Sequence, residues 1–437
     1  MSDSLRRHTP LIAIIGWLIV GLLAVQVLHQ AGQIQQLTDA LHEKEIEPSN
    51  TLNRTILIGV TAATSDDYYK IRPFVEDFIE PDTNQYSADH GYNTTFEFVL
   101  TSNNGDSASA NLNTQMFHHM GVTVIIGHPW NSQSCASLSY AEAHDMILIS
   151  PAASAVSQSI PGDSYLRLAC NDTVHFMVAA KALLSYGVNA CVAVGIDFGY
   201  GLYEAFEEEY ERGGGVVLDW VKLDFDDYDL DSLMGKIEAE VLEGVETYGD
   251  EGVAVLLMGF TEMIPLVERA DEHPVLYTAP WFGCWGMGLN AKFIEEAPEE
   301  SAHLKIFTPV PAPPESEEYT AFNMRYEKLG YPPLGFEMAC TYDAAMIAVR
   351  AILESRSTDD EVLLETIPEV AARTQGVSGS CALNADGDRE ISDFLIWGYG
   401  TVQGRFESIP YGRYVSATDT VNWDWEALAS ESVVPQD

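Results

Sequence analysis

The run VIIGHPWNSQSCASLSYAEAHDMILISPAASAVSQ, residues 124–158, is the stretch from which the fold is read. An apolar strand from Val122 to Ile126 leads through a polar loop into a helix reaching His144, and the chain returns as a second apolar strand, Met146 to Ser150. Both strands are continuously apolar rather than alternating, the pattern of parallel strands buried on both faces by helices. Outward toward the N-terminus the same unit repeats. Thr55–Val60 (TILIGV) is a β-branched strand, followed by a helix-like stretch over about residues 66–79. Thr95–Leu100 is a strand, after which Asp106 is placed to cap a helix that Gly121 stops. The alternation β-α-β-α-β-α-β predicts an α/β lobe with a parallel sheet.

After Pro151 the pattern starts again. YLRLAC (165–170) is a strand, Asp172 is positioned to cap a helix reaching Tyr186, and ACVAVGI (190–196) is a buried strand. Then come a helix over 201–212, VVLDWVKL (216–223), a helix over 231–242, VAVLLMGF (253–260), a helix over 262–270 and PVLYTAPW (274–281). This is a second lobe. KIFTPVPAPPE (305–315) is proline-rich, a boundary signal. Helices over 315–329 and 339–355 follow, and GVSGSCALNADGDREISDFLIWGY (376–399) reads as a hairpin turning at residues 385–388.

The opening run, YLRLACNDTVHF (165–176), VAVGIDFGYGLYEAF (192–206), CTYDAAMIAVRAI (340–352) and the closing hairpin together resemble the type I periplasmic solute-binding proteins, in particular the branched-chain amino-acid-binding kind. The resemblance covers most of residues 55–400 in order. It implies two Rossmann-like lobes with parallel sheets joined by three crossover strands, near residues 170–174, 306–312 and 373–380, that close on a small solute and present it to an ABC permease in the membrane. In such proteins the loop after Gly-His and the Pro-Ala-Ala-Ser/Thr loop hold the ligand's carboxylate. Here these are Asn131 and Ser132, and Ala152, Ala153 and Ser154. Both loops leave C-terminal strand ends, the crevice where open α/β sheets bind ligands, and their small residues let an anion approach backbone N–H groups. From the second lobe the resemblance implies Tyr200 and Phe260 as aromatic contacts, and an acidic residue for the ligand's ammonium just after Pro280.

At that last position the chain has Trp281 instead. A buried ammonium without an anion is costly, so either another acid such as Asp197 or Glu262 serves, or the ligand is not a simple α-amino acid. Trp130, Tyr200, Phe260 and Trp281 then form an expected aromatic wall, suited to an apolar solute or to a quaternary ammonium such as a betaine. The first loop, Ala62-Ala63-Thr64-Ser65, lacks the usual Ser-Gly pair.

Composition limits the alternatives. With 66 acidic against 22 basic residues the formal charge is −44, which excludes nucleic-acid binding, since that requires a basic surface against phosphates. The 46% hydrophobic and 10% aromatic content argues for folded lobes that carry this charge on their surface. An acid-rich exterior with eight lysines suits a halophilic setting, where salt screens self-repulsion. GxSxG, HExxH, P-loop and GxGxxG motifs are all missing, so no enzyme, metal or cofactor is expected. The pair His118-His119 is adjacent on a helix and not spaced for ligation, and none of the six cysteines forms CxxC.

Leu11–Leu28 is an 18-residue apolar stretch preceded by Arg6 and Arg7, read as an uncleaved membrane anchor or a signal that leaves the body extracytoplasmic. The expected organisation is therefore an anchor or signal over 1–30, a stalk or linker over 31–54, lobe one from 55–171 plus 312–374, lobe two from 172–311 plus 375–410, and a tail over 411–437. The expected partners are a small-molecule solute, the permease and the membrane. A sensory or co-receptor ectodomain, or a surface or filament subunit with a vestigial cleft, are the rival readings.

Overall fold

A computed structural model describes residues 52, 54–196, 201–223, 229–284 and 286–429. The anchor and stalk segments, Asp197, Tyr200 and the end of the chain lie outside the described residues. Among the described residues no helix is long and apolar enough to cross a membrane.

Lobe one is a five-stranded parallel sheet of β1 (Thr55–Ala62), β2 (Thr95–Ser102), β3 (Val124–Ile126), β4 (Ile147–Ser150) and β5 (Tyr165–Arg167), in the order β2-β1-β3-β4-β5. The central strands are buried on both faces because helices cover both. On one face Ile58, Val60, Ile126 and Ile149 pack with Phe74 and Phe78 and with the apolar side of the helix Phe336–Ser355. On the other, Ile125 and Leu148 meet Phe117 and Ala141 from the helices Ser107–His119 and Asn131–Glu142. Asp106 caps the first of these helices as expected, its carboxylate accepting the Ser109 N–H at 2.8 Å.

Lobe two repeats the arrangement with β6 (Ala190–Gly195), β7 (Val216–Lys222), β8 (Val253–Met258) and β9 (Trp281–Gly283), all parallel in the order β7-β6-β8-β9. Every residue of β6 and β8 is buried. A bridge between Phe282 and Phe307 leads to an antiparallel sheet of β10 (Thr308–Ala312), β13 (Asp393–Val402), β14 (Arg405–Val415) and β15 (Thr420–Trp423). Between them in sequence lies a two-stranded turn, β11 (Gln375–Gly376) with β12 (Gly379–Ser380). The prolines read as a boundary signal, Pro309 and Pro311, stand inside β10, which is tolerated because β10 is an edge strand of this sheet.

The chain passes between the two cores three times: between Leu168 and Phe176, between Phe307 and Phe322, and between Cys381 and Phe394. One expectation is corrected here. The stretch after residue 410, read as a tail, continues β14 to Val415, forms β15 and adds the helix Trp425–Ala429. Trp423 seats its ring against Tyr186, Phe282 and Phe307, so this stretch belongs to the lobe-two core. The six cysteines are all free thiols, five of them buried.

The first and third passages are held together by buried charge. Arg167, at the end of β5, donates from Nε to Asp388 Oδ1 at 2.5 Å, with both side chains sealed from solvent. Its other nitrogens donate to the Ala155 carbonyl at 2.8 Å and the Ser159 hydroxyl at 2.7 Å. The neighbouring Arg389 donates to the Leu168 carbonyl and the Ser378 hydroxyl, at 3.1 and 2.9 Å. Two arginines thereby fasten the first passage to the third.

Candidate functional site

In an open parallel sheet, ligands lie beyond the C-terminal strand ends where the strand order reverses. For lobe one that point is between β1 and β3; for lobe two it is between β6 and β8. The described residues leaving these ends are Ala62–Ser65 and Gly127–Trp130 in lobe one, and Ile196 and Gly259–Phe260 in lobe two.

The Gly127–Trp130 loop is built on a buried polar scaffold. Gly127 has a φ of +146°, and a Cβ there would lie 2.0 Å from Thr61 Oγ1, so the loop needs glycine to approach β1. His128 is fully buried between the Asn103 amide and the Thr114 hydroxyl, each 2.9 Å from one ring nitrogen. Burial pushes its imidazole down to about 3, so it is neutral. With Asn103 Nδ2 donating to Nδ1, Nε2 carries the proton toward Thr114. The His128 carbonyl accepts from Ser134 and Ser150, at 2.9 and 2.7 Å, and so joins this loop to the end of β4.

Asn131 begins the helix Asn131–Glu142, and its side chain connects the two loops expected to hold a carboxylate. Oδ1 accepts the N–H groups of Ser154 and Ala155 at 2.9 and 3.0 Å, and Gln158 donates to its carbonyl at 2.8 Å. Ala153 N–H is likewise taken, by Ser150 Oγ at 3.0 Å. Of the backbone donors expected to meet a carboxylate, those of Ala153 and Ser154 are therefore spent on the scaffold, and that of Ala152 lies 3.4 Å from the same Ser150 oxygen. What these loops still offer is the start of the helix Asn131–Glu142, where Ser132 is exposed, together with the half-buried Ser154 side chain.

From lobe two, Phe260 is half-buried at the end of β8 and packs closely on Gly286. Glu262, one of the acids considered for the ammonium, turns back and accepts the Phe260 N–H at 2.8 Å. Trp281 does not join an aromatic wall. It has no exposed surface, lies in the lobe-two core and donates its indole N–H to the Leu276 carbonyl at 2.8 Å. The physical reason is its place on β9, where the side chain is directed into the lobe instead of past the strand end. Trp130 remains 45% exposed on lobe one. Asp197 and Tyr200 lie outside the described residues. In the first loop, Thr64 caps the helix Ser65–Phe74, accepting the Asp67 N–H at 3.2 Å.

Asp172, expected to be a cap, is instead the first residue of the helix Asp172–Tyr186, and Asn171 stands at the cap position. Asn171 makes no capping hydrogen bond, because its side chain donates to Asp388 and Ser159 at 3.2 and 3.3 Å. Asp172 N–H donates to the Ser154 carbonyl at 2.8 Å. Its carboxyl is 7% exposed, and burial raises it to about 6 against the opposing pull of Ser154 and Arg167. At the other end of lobe one His144 stacks on Tyr140 and His118 meets that ring edge-on, with His118 and His144 4.6 Å apart between ring centres. Among the described residues no cluster of three potential metal ligands occurs.

Two parallel-sheet lobes whose first four strands run in the same order, joined by three passages of the chain, make the type I periplasmic binding protein architecture. Over residues 84–401 the chain matches the family described as the receptor family ligand binding region, and it belongs to that family. It is similar to an uncharacterized protein of Methanocaldococcus jannaschii, at 19% identity with 79% of this chain and 85% of the relative covered. Among solved structures it resembles an ABC transporter substrate-binding protein from Desulfitobacterium hafniense in complex with Leu, with a TM-score of 0.61, 18% identity, and 81% of this chain and 100% of that one covered. It also resembles an ABC transporter solute-binding protein from Rhodopseudomonas palustris in complex with 3,4-dihydroxybenzoic acid, with a TM-score of 0.55, 14% identity, and 85% and 99% coverage. The family and these neighbours are binding proteins rather than enzymes.

Proposed function

We propose that the chain is an extracytoplasmic solute-binding protein that captures a small amino-acid-like or zwitterionic ligand between its lobes and delivers it to an ABC permease. The observation that carries this reading is the joining of the two lobe-one loops by Asn131, which holds Ser154 beside the open start of the helix Asn131–Glu142. A helix start with an exposed Ser132 is suited to a carboxylate, through its N–H groups, hydroxyl and partial positive charge. The ligand set is Asn131, Ser132, Ala152, Ala153 and Ser154 from lobe one, with Tyr200 and Phe260 from lobe two. In it Asn131 and Ala153 act as scaffold and Ser132 and Ser154 as contacts. Trp281 drops out of the set because it is enclosed in the core. Closure of lobe two over these loops desolvates the solute and signals occupancy. The apolar segment Leu11–Leu28 supports attachment to, or export across, a membrane.

The family's description as a receptor ligand-binding region supports a second reading, in which the same crevice serves a sensory ectodomain. A thermal-shift screen of the full-length protein against amino acids, betaines, amides and aromatic acids tests the shared core of both. A ligand raises the midpoint by mass action. That shift should vanish when Ser154→Ala is combined with Tyr200→Ala. Retention of the full shift in the double variant sinks the site assignment.

A further inference from the structure

The chain contains three Asn-X-Thr triplets, Asn53-Arg54-Thr55, Asn93-Thr94-Thr95 and Asn171-Asp172-Thr173, the acceptor signal for N-linked glycans on exported chains. Such triplets also arise by chance, so accessibility in the fold decides which of them serves. Asn53 lies outside the described residues. Asn171 is already committed. Its Nδ2, the atom that would carry a sugar, donates to Asp388 and Ser159 at 3.2 and 3.3 Å, within the network that fastens the first passage to the third, and its Oδ1 is buried. A sugar on that nitrogen would take one of its two hydrogens and force a bulky, hydrated group among sealed side chains.

Asn93 is the opposite case. It stands in the short irregular segment between the helix Glu80–Asp89 and β2, is exposed, and has no hydrogen-bond partner for its side chain among the described residues. The chain then runs extended into β2, where neighbouring residues face opposite ways and residues two apart face the same way. Thr94 is the inward one. It is 3% exposed, its hydroxyl donates to the Leu52 carbonyl, and its own carbonyl accepts from the Ser87 hydroxyl at 2.6 Å. Asn93 and Thr95 accordingly both lie on the solvent side. The Thr95 hydroxyl stays at the surface, 3.0 Å from that of Thr55, its register partner on β1. The triplet offers a transferase an amide and a hydroxyl two residues later, and here both are presented together on a backbone that Thr94 anchors.

The position also leaves the crevice clear. Asn93 precedes the N-terminal end of β2, whereas ligands lie beyond the C-terminal strand ends. The 8 residues of β2, at about 3.3 Å each, put roughly 25 Å between the two. Asn93 is instead beside the entry of the chain into lobe one, where the Thr95 N–H donates to the Arg54 carbonyl at 3.2 Å.

We propose that Asn93 carries an N-linked glycan at the base of lobe one, while Asn171 stays bare. The inference rests on the extracytoplasmic placement of the body in the reading above and is independent of the solute. The donor is a sugar chain on a polyprenyl phosphate or diphosphate. Asn93 Nδ2 bonds to the anomeric carbon, the bond from that carbon to the phosphate oxygen breaks, and the amide proton passes to a base as the lipid phosphate leaves. No oxidation or reduction accompanies the transfer.

Mass spectrometry of Glu-C peptides from the full-length protein, purified from its own organism, tests this. The Asn93 peptide should be shifted by a whole number of sugar residues and the Asn171 peptide unshifted. In the same organism the shift should be lost in Asn93→Gln and in Thr95→Ala, and kept in Thr95→Ser, which retains the hydroxyl. An unshifted Asn93 peptide overturns the proposal, as does a shift that survives Thr95→Ala or sugar found on Asn171. The measurement on the unmodified sequence needs no variant and so stands if a variant fails to fold. Labelling of spheroplasts with an amine reagent that does not cross the cytoplasmic membrane reads the placement of the body separately. A labelled body with a bare Asn93 refutes this inference and leaves the solute-binding reading intact; an unlabelled body refutes both.

Discussion

Replacing Arg167 tests whether the lobes are held by the buried ion pair with Asp388. The side chains are 0% and 1% exposed, and the 2.5 Å Nε···Oδ1 contact is backed by hydrogen bonds to Ala155 and Ser159. Arg167→Met removes all three bonds and strands Asp388, whose Oδ2 keeps only the Ser159 and Asn171 donors. Breaking a buried pair from one side costs about 3–5 kcal/mol, because the remaining charge stays buried. Asp388→Leu should cost a similar amount for the same reason, with the guanidinium left unpaired. The double variant strands neither charge. It should therefore be less destabilised than the sum of the singles by about 2 kcal/mol or more. The backbone bonds from Arg167 N–H to Gly387 and from Arg389 N–H to Arg167, both 2.9 Å, survive all three substitutions, so the cycle isolates the charges. Urea unfolding of the full-length proteins at pH 7, followed by tryptophan fluorescence and circular dichroism, measures the four stabilities. Single-variant losses below about 1 kcal/mol, or additivity within about 0.5 kcal/mol, would show that the pair does not hold the passages.

Two further outcomes are expected. Burial lowers His128 from its ordinary 6.5 to about 3, so below pH 6.5 the unfolded chain takes up a proton that the folded chain refuses. The stability tied to this group is whole above about pH 6.5 and is lost as pH falls toward 3, at about 1.4 kcal/mol per pH unit. Asp163 and Asp172, both raised to about 6, work in the opposite direction between about pH 4 and 6, but they are common to a variant and its parent. The stability gap between wild type and His128→Gln should thus narrow by about 1.4 kcal/mol per unit from pH 6 to 4, and parallel curves in chemical denaturation would contradict the neutral buried imidazole. The −44 charge should make the melting midpoint rise as KCl is increased from about 0.1 to 2 M, through screening of self-repulsion; a flat response would remove the argument for a salt-adapted surface.

The sheet strands were legible in the chain wherever burial is two-sided. β6 and β8 are unbroken apolar runs, and such runs have few other stable uses in a soluble α/β lobe. β14 was not legible as a strand, because RFESIPYGRYV carries proline, glycine and charge on a sheet with one wet face. In the candidate site, the motif order singled out the loops after β3 and β4, yet it gave each loop residue the same weight. The division of labour between Asn131, which spends its side chain on Ser154 and Ala155, and Ser132, which stays exposed, follows from hydrogen bonds spanning 23 and 24 positions.

Trp281 and Asp172 mark the boundary between the two kinds of knowledge. The sequence alone determined two α/β lobes and a strongly acidic composition, because periodicity, strand apolarity and net charge are local or additive properties of the chain. The binding role, and the absence of an acid after Pro280, were read from the resemblance carried by its motifs. Whether Trp281 walls a cleft or fills a core, and whether Asp172 caps a helix or stands unpaired, was decided only by tertiary structure. Both depend on which groups claim the available hydrogen bonds in the folded chain: the Leu276 carbonyl takes the indole N–H of Trp281, and Asp388, more than 200 positions along the chain, draws Asn171 and Arg167 to itself, while Oδ1 of Asp172 has no hydrogen-bond partner.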